Sequence, residues 1–408
     1  MKSSDANKDS SAIEIFVAFL KLGLTSFGGP IAHLGYFRDE LVTRRRWIDD
    51  AGYADTVALC QFLPGPASSQ VGFALGILRG NGLAGGLAAW LGFTLPSALI
   101  MFTFALGAAR LHGVVAEGFL HGLKLVAVAV VAQAIWGMAR TLTPDLRRIA
   151  IAISAAAAVS LTSASIGQIG AISGGVFLGL LLCRREGDTP HAMPSYPITR
   201  RAGGVALAAC ASLLVIVPLL ATATDAPSLR LFDAFFRSGA LVFGGGHVIL
   251  PLLQAQVVAP GWVSNAMFLD GYGLAQAIPG PLSTFAAYLG AIAQPPGTTA
   301  YPLLGAGVAL IGIFLPGMLL VYGALPFWGD LRARPRAQAA MRGANAAVVG
   351  ILAVAFIDPV CSSAIAHWGD APLALAGFVL LVRWRVPSSI VVALLGVAGA
   401  ALALLQAH

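Results

Sequence analysis

The stretch FLKLGLTSFGGP at residues 19–30 indicates the fold, because it recurs as FFRSGALVFGGG at residues 235–246. Both copies begin as apolar segments and reach two adjacent glycines, which Pro30 follows in the first copy and Gly246 in the second. Adjacent glycines and proline interrupt helices. We therefore predict a broken helix at the same place in two halves of the chain.

Two further motifs repeat at a similar spacing. YADTVALCQFLPGPASS at 53–69 aligns with FLDGYGLAQAIPGPLST at 268–284, and LGFTLPSAL at 91–99 aligns with IGIFLPGML at 311–319. The aligned pairs are Lys21 with Arg237, Gly28–Gly29 with Gly244–Gly245, Asp55 with Asp270, Gln61 with Gln276, Pro64–Pro66 with Pro279–Pro281, and Ser68 with Ser283. The offset is 215 to 220 residues throughout, which indicates internal duplication.

The composition predicts a membrane protein. Of the 408 residues, 58% are hydrophobic and 11% are charged, so polar side chains are too few to cover a soluble globule. A net charge of +7 lies mostly in short loops, where arginines set membrane orientation, and this argues against nucleic-acid binding. Apolar segments are predicted at 12–37, 51–79, 82–109, 114–139, 148–162, 165–183, 203–222, 229–257, 266–293, 300–328, 339–357, 371–382 and 386–406.

These segments predict an all-α polytopic membrane protein built from two inverted-topology repeats. Each repeat has about six segments, and an extra transmembrane helix between them reverses the second copy. The expected divisions are a cytoplasmic tail at 1–11, a first repeat at 12–183, a linker with the connecting helix at 184–228, and a second repeat at 229–408.

Loop charges leave two topologies open for the first two segments. If both segments span, the Arg38–Arg46 loop lies outside, against the positive-inside rule. If they are re-entrant hairpins turning at FGGP and PGP, twenty Lys and Arg residues lie inside and two outside. In both cases the N-terminus is cytoplasmic.

The breaks are the predicted substrate site. A half-helix that starts after each break presents free N–H groups, which together with the helix dipole favour an anion. A packing kink is the alternative. The candidate residues are Lys21, Gly28, Gly29, Pro30, Gln61, Pro64, Gly65, Pro66, Ser68, Arg237, Gly244, Gly245, Gln276, Pro279, Gly280, Pro281 and Ser283.

The charged candidates have alternative roles. Lys21 and Arg237 either neutralise an anion or extend toward the membrane interface. Asp55 and Asp270 either carry a coupling proton or serve as helix caps or arginine partners. The sequence shows no nucleotide-binding loop, no catalytic motif, no metal site and no cofactor site, so it indicates neither an enzyme nor an ATP-driven pump. The four cysteines are expected to be free thiols, and His33 and His247 are interpreted as core or interface residues.

The combination FxKxGxxxFGGP, WID and Q-x-LPGP, repeated as FxxGxxxFGGG and Q-x-IPGP, resembles the chromate ion transporter family in its long two-domain form. The likeness covers residues 12–400. It implies export of chromate, with resistance to chromate, across the bacterial inner membrane, driven by membrane potential or a proton gradient. Gly246 stands where the first half has Pro30, so the two halves need not be equivalent.

The resemblance also implies the partners. These are the lipid bilayer and a chromate or sulfate oxyanion, with no nucleic acid, and a homodimer is one assembly that the sequence leaves open. Transport of sulfate or another oxyanion, and an oxyanion channel, are the alternative functions.

Overall fold

The computed structural model describes residues 11–27, 29–108, 113–161, 164–183, 196–224, 226–242, 249–297, 301–332, 334–366 and 369–406. The predicted site residues Gly28, Gly244 and Gly245 lie outside these ranges, as do His247 and residues 184–195 of the linker. The described residues form helices and the segments that connect them.

The first half contains eight described α-helices. They are α1 (Ala12–Thr25), α2 (Gly29–Phe37), α3 (Asp50–Phe62), α4 (Ala67–Arg79), α5 (Leu83–Ala108), α6 (Val114–Leu142), α7 (Leu146–Leu161) and α8 (Ala164–Leu182). A π-helix at Arg38–Arg44 continues α2. The connecting helix is α9 (Arg200–Ala223).

The second half contains ten described α-helices. Its α-helices are α10 (Pro227–Ala240), α11 (Ile249–Leu253), α12 (Asn265–Ala277), α13 (Phe285–Ile292), α14 (Pro302–Ala324), α15 (Trp328–Arg332), α16 (Pro335–Ala355), α17 (Ser362–Ala364), α18 (Asp370–Val382) and α19 (Ser388–Gln406). A π-helix at Gln254–Val258 follows α11, at the position that matches the π-helix of the first half. A further π-helix spans Phe356–Cys361.

The predicted breaks are present. The predicted segment 12–37 consists of α1 and α2, and the segment 51–79 consists of α3 and α4. Both α3 and α4 have 13 residues, so each is about 20 Å long and shorter than the roughly 30 Å hydrocarbon core. These lengths match the arms expected of a hairpin that turns at PGP.

Local sequence signals set the helix ends. The Asp49 side chain accepts a hydrogen bond from the Gly52 N–H and caps α3, and Ser264 caps α12 through the Met267 N–H. Asp55 and Asp270 therefore lie inside α3 and α12, so they do not cap the N-termini of these two helices.

Five described helical stretches are long and apolar enough to cross a membrane. They are Leu83–Gly107, Val114–Arg140, Arg200–Ala223, Pro302–Asp330 and Pro335–Asp358. Large apolar side chains such as Val205, Leu219 and Leu303 are exposed on them, and only a lipid environment favours so much exposed apolar surface. The chain is a multi-pass membrane protein.

The two halves interlock through their long helices. In the first half α1 and α4 pack on α5, and in the second α10 and α13 pack on α14. Helix α6 packs against α18 and α19 of the second half, and α16 packs against α7 and α8 of the first. Each half therefore completes its helical packing with a helix from the other half.

Candidate functional site

Each break of one half bonds to the PGP segment of the other half. The Gly280 N–H donates to the Ser26 carbonyl oxygen at 2.9 Å, and the Gly65 N–H donates to the Val242 carbonyl oxygen at 2.7 Å. Val242 is the residue that aligns with Ser26, so the two hydrogen bonds are matched. We call the region formed by residues 26, 27, 29, 30, 64–66, 242 and 279–281 the crossing.

Three glycines of the crossing have positive φ angles, and two of them are closely packed. Gly29, Gly65 and Gly280 have φ angles of 81°, 132° and 98°, a backbone region that L side chains rarely adopt. A Cβ atom on Gly65 would lie 3.0 Å from the Cα of Gly317, and one on Gly280 would lie 2.6 Å from Ser97 Oγ. The crossing therefore requires glycine for both conformation and space.

The residues that follow the prolines of α5 and α14 pack against the crossing. The LPS and LPG motifs end at Ser97 and Gly317, and each of these residues packs on the PGP glycine of the other half. The Gln70 amide donates to the Pro64 carbonyl oxygen at 2.8 Å and to the Gly317 carbonyl oxygen at 3.1 Å. The three aligned motifs therefore lie in contact. The sequence alone did not predict which motif of one half contacts which motif of the other.

His33 belongs to this region, which sequence reasoning missed. Its side chain is 1% exposed, its Nδ1 lies 3.3 Å from Ser68 Oγ, and its ring packs edge-on against Phe93 at 5.3 Å between centroids. The ring also hydrogen-bonds the backbone of Ser26. His33 therefore joins α2 and α4, the helices that follow the two breaks of the first half. Ile249 takes its place in the second half, so repeat alignment gave no signal for it.

Three buried hydroxyls near the crossing have no hydrogen-bond partner among the described residues. They belong to Ser26, Ser69 and Thr94, which are 0%, 4% and 4% exposed. An unpaired buried hydroxyl typically costs roughly 1–3 kcal/mol, so a folded protein keeps few of them without a function. Two of the aligned positions, Val242 and Phe314, are apolar, so these donors are concentrated in the first half.

The neutral candidates differ between the halves. Gln61 is exposed at the end of α3, whereas Gln276 is 8% exposed and hydrogen-bonds Tyr272. Ser68 bonds to His33, and Ser283 is 3% exposed in a short 3-10 helix at 282–284. The structure therefore brings Ser68 to the crossing and leaves Gln61 at the surface.

Lys21 forms an ion cluster with the first π-helix. Its Nζ lies 2.9 Å from Glu40 Oε2, and Arg44 and Arg45 approach the same carboxylate at 3.2 and 2.9 Å. We call these four residues the Glu40 cluster. Burial alone would raise the pKa of Glu40, but the hydrogen bonds from Lys21 and Arg45 outweigh it and lower the pKa to about 2. Lys21 thus has a neutralising partner in Glu40.

Arg237 has a different partner, Asp233, one turn earlier on α10. A cavity of about 650 Å³ lies beside this pair, and its lining includes Arg230, Gln256 and Trp262. Lys21 and Arg237 therefore occupy aligned positions but have different surroundings. The first half has Val17 at the position that aligns with Asp233, so Lys21 has no acid one turn before it.

The aligned acids also differ in their surroundings. Lys124 Nζ of α6 lies 3.9 Å from Asp270 Oδ1, and Asp270 is 8% exposed. Asp55 is half-buried on α3, next to Thr56, whose hydroxyl lies 2.8 Å from that of Tyr196. All four cysteines are free thiols.

A sequence model described as Chromate transporter matches residues 13–180 and 229–400. The chain belongs to the chromate transporter family. The matched ranges contain every residue of the crossing. One range contains FGGP and the first PGP, and the other contains FGGG and the second PGP.

Individual relatives cover nearly the whole chain. A chromate transport protein of Pseudomonas aeruginosa is 29% identical over 98% of this chain and 95% of its own length. A probable chromate transport protein of Synechococcus elongatus is 29% identical over 93% of each chain. An uncharacterised transporter of Methanocaldococcus jannaschii is 24% identical over 80% of this chain and 79% of its own length. No solved structure matches the chain.

Proposed function

We propose that this protein exports chromate across the bacterial inner membrane and binds the oxyanion at the crossing. The observation that carries the proposal is the pair of matched hydrogen bonds, Gly280 to Ser26 and Gly65 to Val242, beside buried hydroxyls that lack partners. Broken helices that meet near the membrane midplane are the usual plan of a transporter site.

The chemistry of the crossing suits an oxyanion. Helices α2 and α4 begin there, so their first N–H groups are available to an anion. The hydroxyls of Ser26, Ser69 and Thr94 add neutral donors, and hydrogen bonds to charged groups contribute about 1.5–3 kcal/mol each.

The proposed topology has two inverted repeats, at 12–183 and 229–408, with α9 between them and a cytoplasmic N-terminus. The first two segments of each repeat are re-entrant hairpins. Because the repeats are inverted, Lys21 and Arg237 lie toward opposite sides of the membrane. Lys21 would release Glu40, and Arg237 would release Asp233, when an oxyanion passes. This exchange keeps each cation paired when no substrate is present.

The membrane potential favours export of a dianion. Moving two negative charges out of a negative-inside cell releases about 4.6 kcal/mol at 100 mV. The test is uptake of radiolabelled chromate into inside-out proteoliposomes under an imposed potential, with sulfate as competitor. Saturable uptake with counterflow exchange is the expected result. Flux without counterflow would indicate a channel, and uptake of sulfate in preference to chromate would reassign the substrate.

A further inference from the structure

The cavity of about 650 Å³ beside Arg237 is lined by residues of α9, α10, the π-helix at Gln254–Val258 and the loop after that π-helix. The lining begins at buried residues, which are Asp233, Ala234 and Ala255. It continues to exposed residues, which are Thr222, Ala259 and Pro260. A water molecule takes about 30 Å³ in the liquid, so a small ion with part of its hydration shell fits here. We call this space the α10 cavity.

The polar residues of the α10 cavity suit an oxyanion. Arg237 is paired with Asp233, but the Arg237 side chain is still 39% exposed, whereas that of Asp233 is 7% exposed. The guanidinium is therefore more accessible than the carboxylate that neutralises it. Gln256 and Trp262 also line the cavity, and both side chains carry neutral N–H donors. An arginine beside neutral donors is a common set of ligands for an oxyanion.

The first half has an acid where the α10 cavity has an amide. Lys21 aligns with Arg237, and at the same offset Glu40 aligns with Gln256. In the first half Glu40 reaches from the π-helix to Lys21 on the preceding helix, at 2.9 Å. In the second half the partner of Arg237 is Asp233 of the same helix, so no carboxylate bridges α10 to the π-helix. The space between these two elements is therefore left for negative oxygens from a ligand.

One face of α10 leads from the cavity to the crossing. Arg230, Ala234 and Arg237 all line the cavity and follow one another at spacings of four and three residues, which places them on the same face of the helix. Arg237 is three residues from the end of α10, about 5 Å along the helix axis. Just beyond that end, the Val242 carbonyl oxygen accepts the hydrogen bond from the Gly65 N–H. The α10 cavity is therefore adjacent to the crossing.

We propose that the α10 cavity is a second binding site for a tetrahedral divalent oxyanion, which receives chromate from the crossing before the ion is released outside. The inference rests on the proposed function and adds an exit site to it. In the proposed topology the C-terminal end of α9 and the loop after the π-helix lie outside, so the cavity is on the exit side. Gln256 donates to the oxyanion, and Arg237 exchanges Asp233 for it. Return of Asp233 to Arg237 then releases the ion.

The test measures how sulfate protects a cysteine at the exposed part of the cavity. In a chain without the native cysteines, Ala259→Cys introduces a thiol into the lining. Gln294→Cys is the control, because Gln294 is exposed and its N–H bonds to the Trp262 carbonyl oxygen, but it does not line the cavity. Each variant is placed in phosphatidylcholine nanodiscs and labelled with a cationic thiol reagent at constant ionic strength. Sulfate replaces chromate because it does not oxidise thiols.

Sulfate should slow the labelling of Ala259→Cys and leave that of Gln294→Cys unchanged. The labelling rate should fall in proportion to 1 + [L]/Kd, which is about tenfold at ten times the dissociation constant. Adding Gln256→Glu to the Ala259→Cys chain supplies the carboxylate that the first half has at this position, and should abolish the protection. Adding Gln294→Glu instead, which introduces the same charge outside the cavity, should leave the protection intact.

The Ala259→Cys chain tests the inference even if Gln256→Glu does not fold. No slowing at Ala259→Cys, or equal slowing at Gln294→Cys, overturns the inference, and so does protection that persists in Gln256→Glu. Labelling of Ala259→Cys that is slowed by phosphatidylglycerol in the nanodisc and not by sulfate overturns it as well, since the occupant is then a lipid phosphate. Chromate uptake by wild-type proteoliposomes would leave the proposed function standing in each of these cases. A wild-type protein without chromate flux would instead refute the proposed function.

Discussion

Replacement of Gly65 by alanine tests the packing of the crossing. The new Cβ would lie 2.5 Å from Gln70 Nε2 and 3.0 Å from Gly317 Cα, so the Gln70 amide must leave its two carbonyl acceptors. The positive φ adds strain of about 1–3 kcal/mol, and the two lost hydrogen bonds add about 1–3 kcal/mol together. We expect a total destabilisation of about 2–6 kcal/mol.

Gly82→Ala is the matched control. Gly82 also has a positive φ, 150°, but no atom lies within 4 Å of its added Cβ, so this variant carries the strain alone. Thermal unfolding in one detergent and chromate uptake per folded molecule compare the two variants. Gly65→Ala should lose about 1–3 kcal/mol more stability than Gly82→Ala, and more transport activity. Equal losses in the two variants would refute the packing described for the crossing.

Two further predictions concern the pH dependence of the Glu40 cluster and the membrane topology. The lowered pKa of Glu40, about 2 against an unperturbed 4.5, means that its cluster stabilises the fold fully above pH 4.5 and loses this effect as the pH falls through 2. The thermal midpoints of wild type and Glu40→Gln should therefore differ at neutral pH and converge in acid, and a constant difference would contradict this account. In a background without the native cysteines, Arg46→Cys should react with an impermeant reagent only from the cytoplasm and Ala259→Cys only from outside. Labelling of both from one side would exclude inverted repeats.

Local sequence signals predicted the helices and their breaks well. The predicted apolar segment 82–109 corresponds to α5 at Leu83–Ala108, and the predicted segment 371–382 corresponds to α18 at Asp370–Val382. Apolar periodicity, glycine pairs and prolines determine helices and their ends through residues close in sequence. A single sequence is therefore enough to predict them. The matched π-helices gave no such signal, because the sequence does not distinguish a π turn from an α turn.

Contacts between distant residues could not be predicted. The bond from Gly280 to Ser26 joins residues 254 positions apart, and the alignment of the repeats does not say which half each break contacts. Lys21 was interpreted as a cation that either neutralises an anion or extends toward the membrane interface. Its pairing with Glu40 depends on how α2 and the π-helix fold back on α1. His33 was interpreted as a core or interface residue because it does not align with His247, and its contact with Ser68 arises only in the folded protein.

The role of the unpaired hydroxyls is tested most directly by the chromate affinity of purified Thr94→Val and Ser69→Ala. These side chains have no hydrogen-bond partner among the described residues, so removing their hydroxyls should leave the thermal midpoint unchanged or higher. If the hydroxyls bind the oxyanion, each variant should lose about 10- to 150-fold in affinity, which corresponds to about 1.5–3 kcal/mol for a hydrogen bond to a charged group. Wild-type affinity in both variants, with folded protein at wild-type yield, would contradict the placement of the substrate at the crossing.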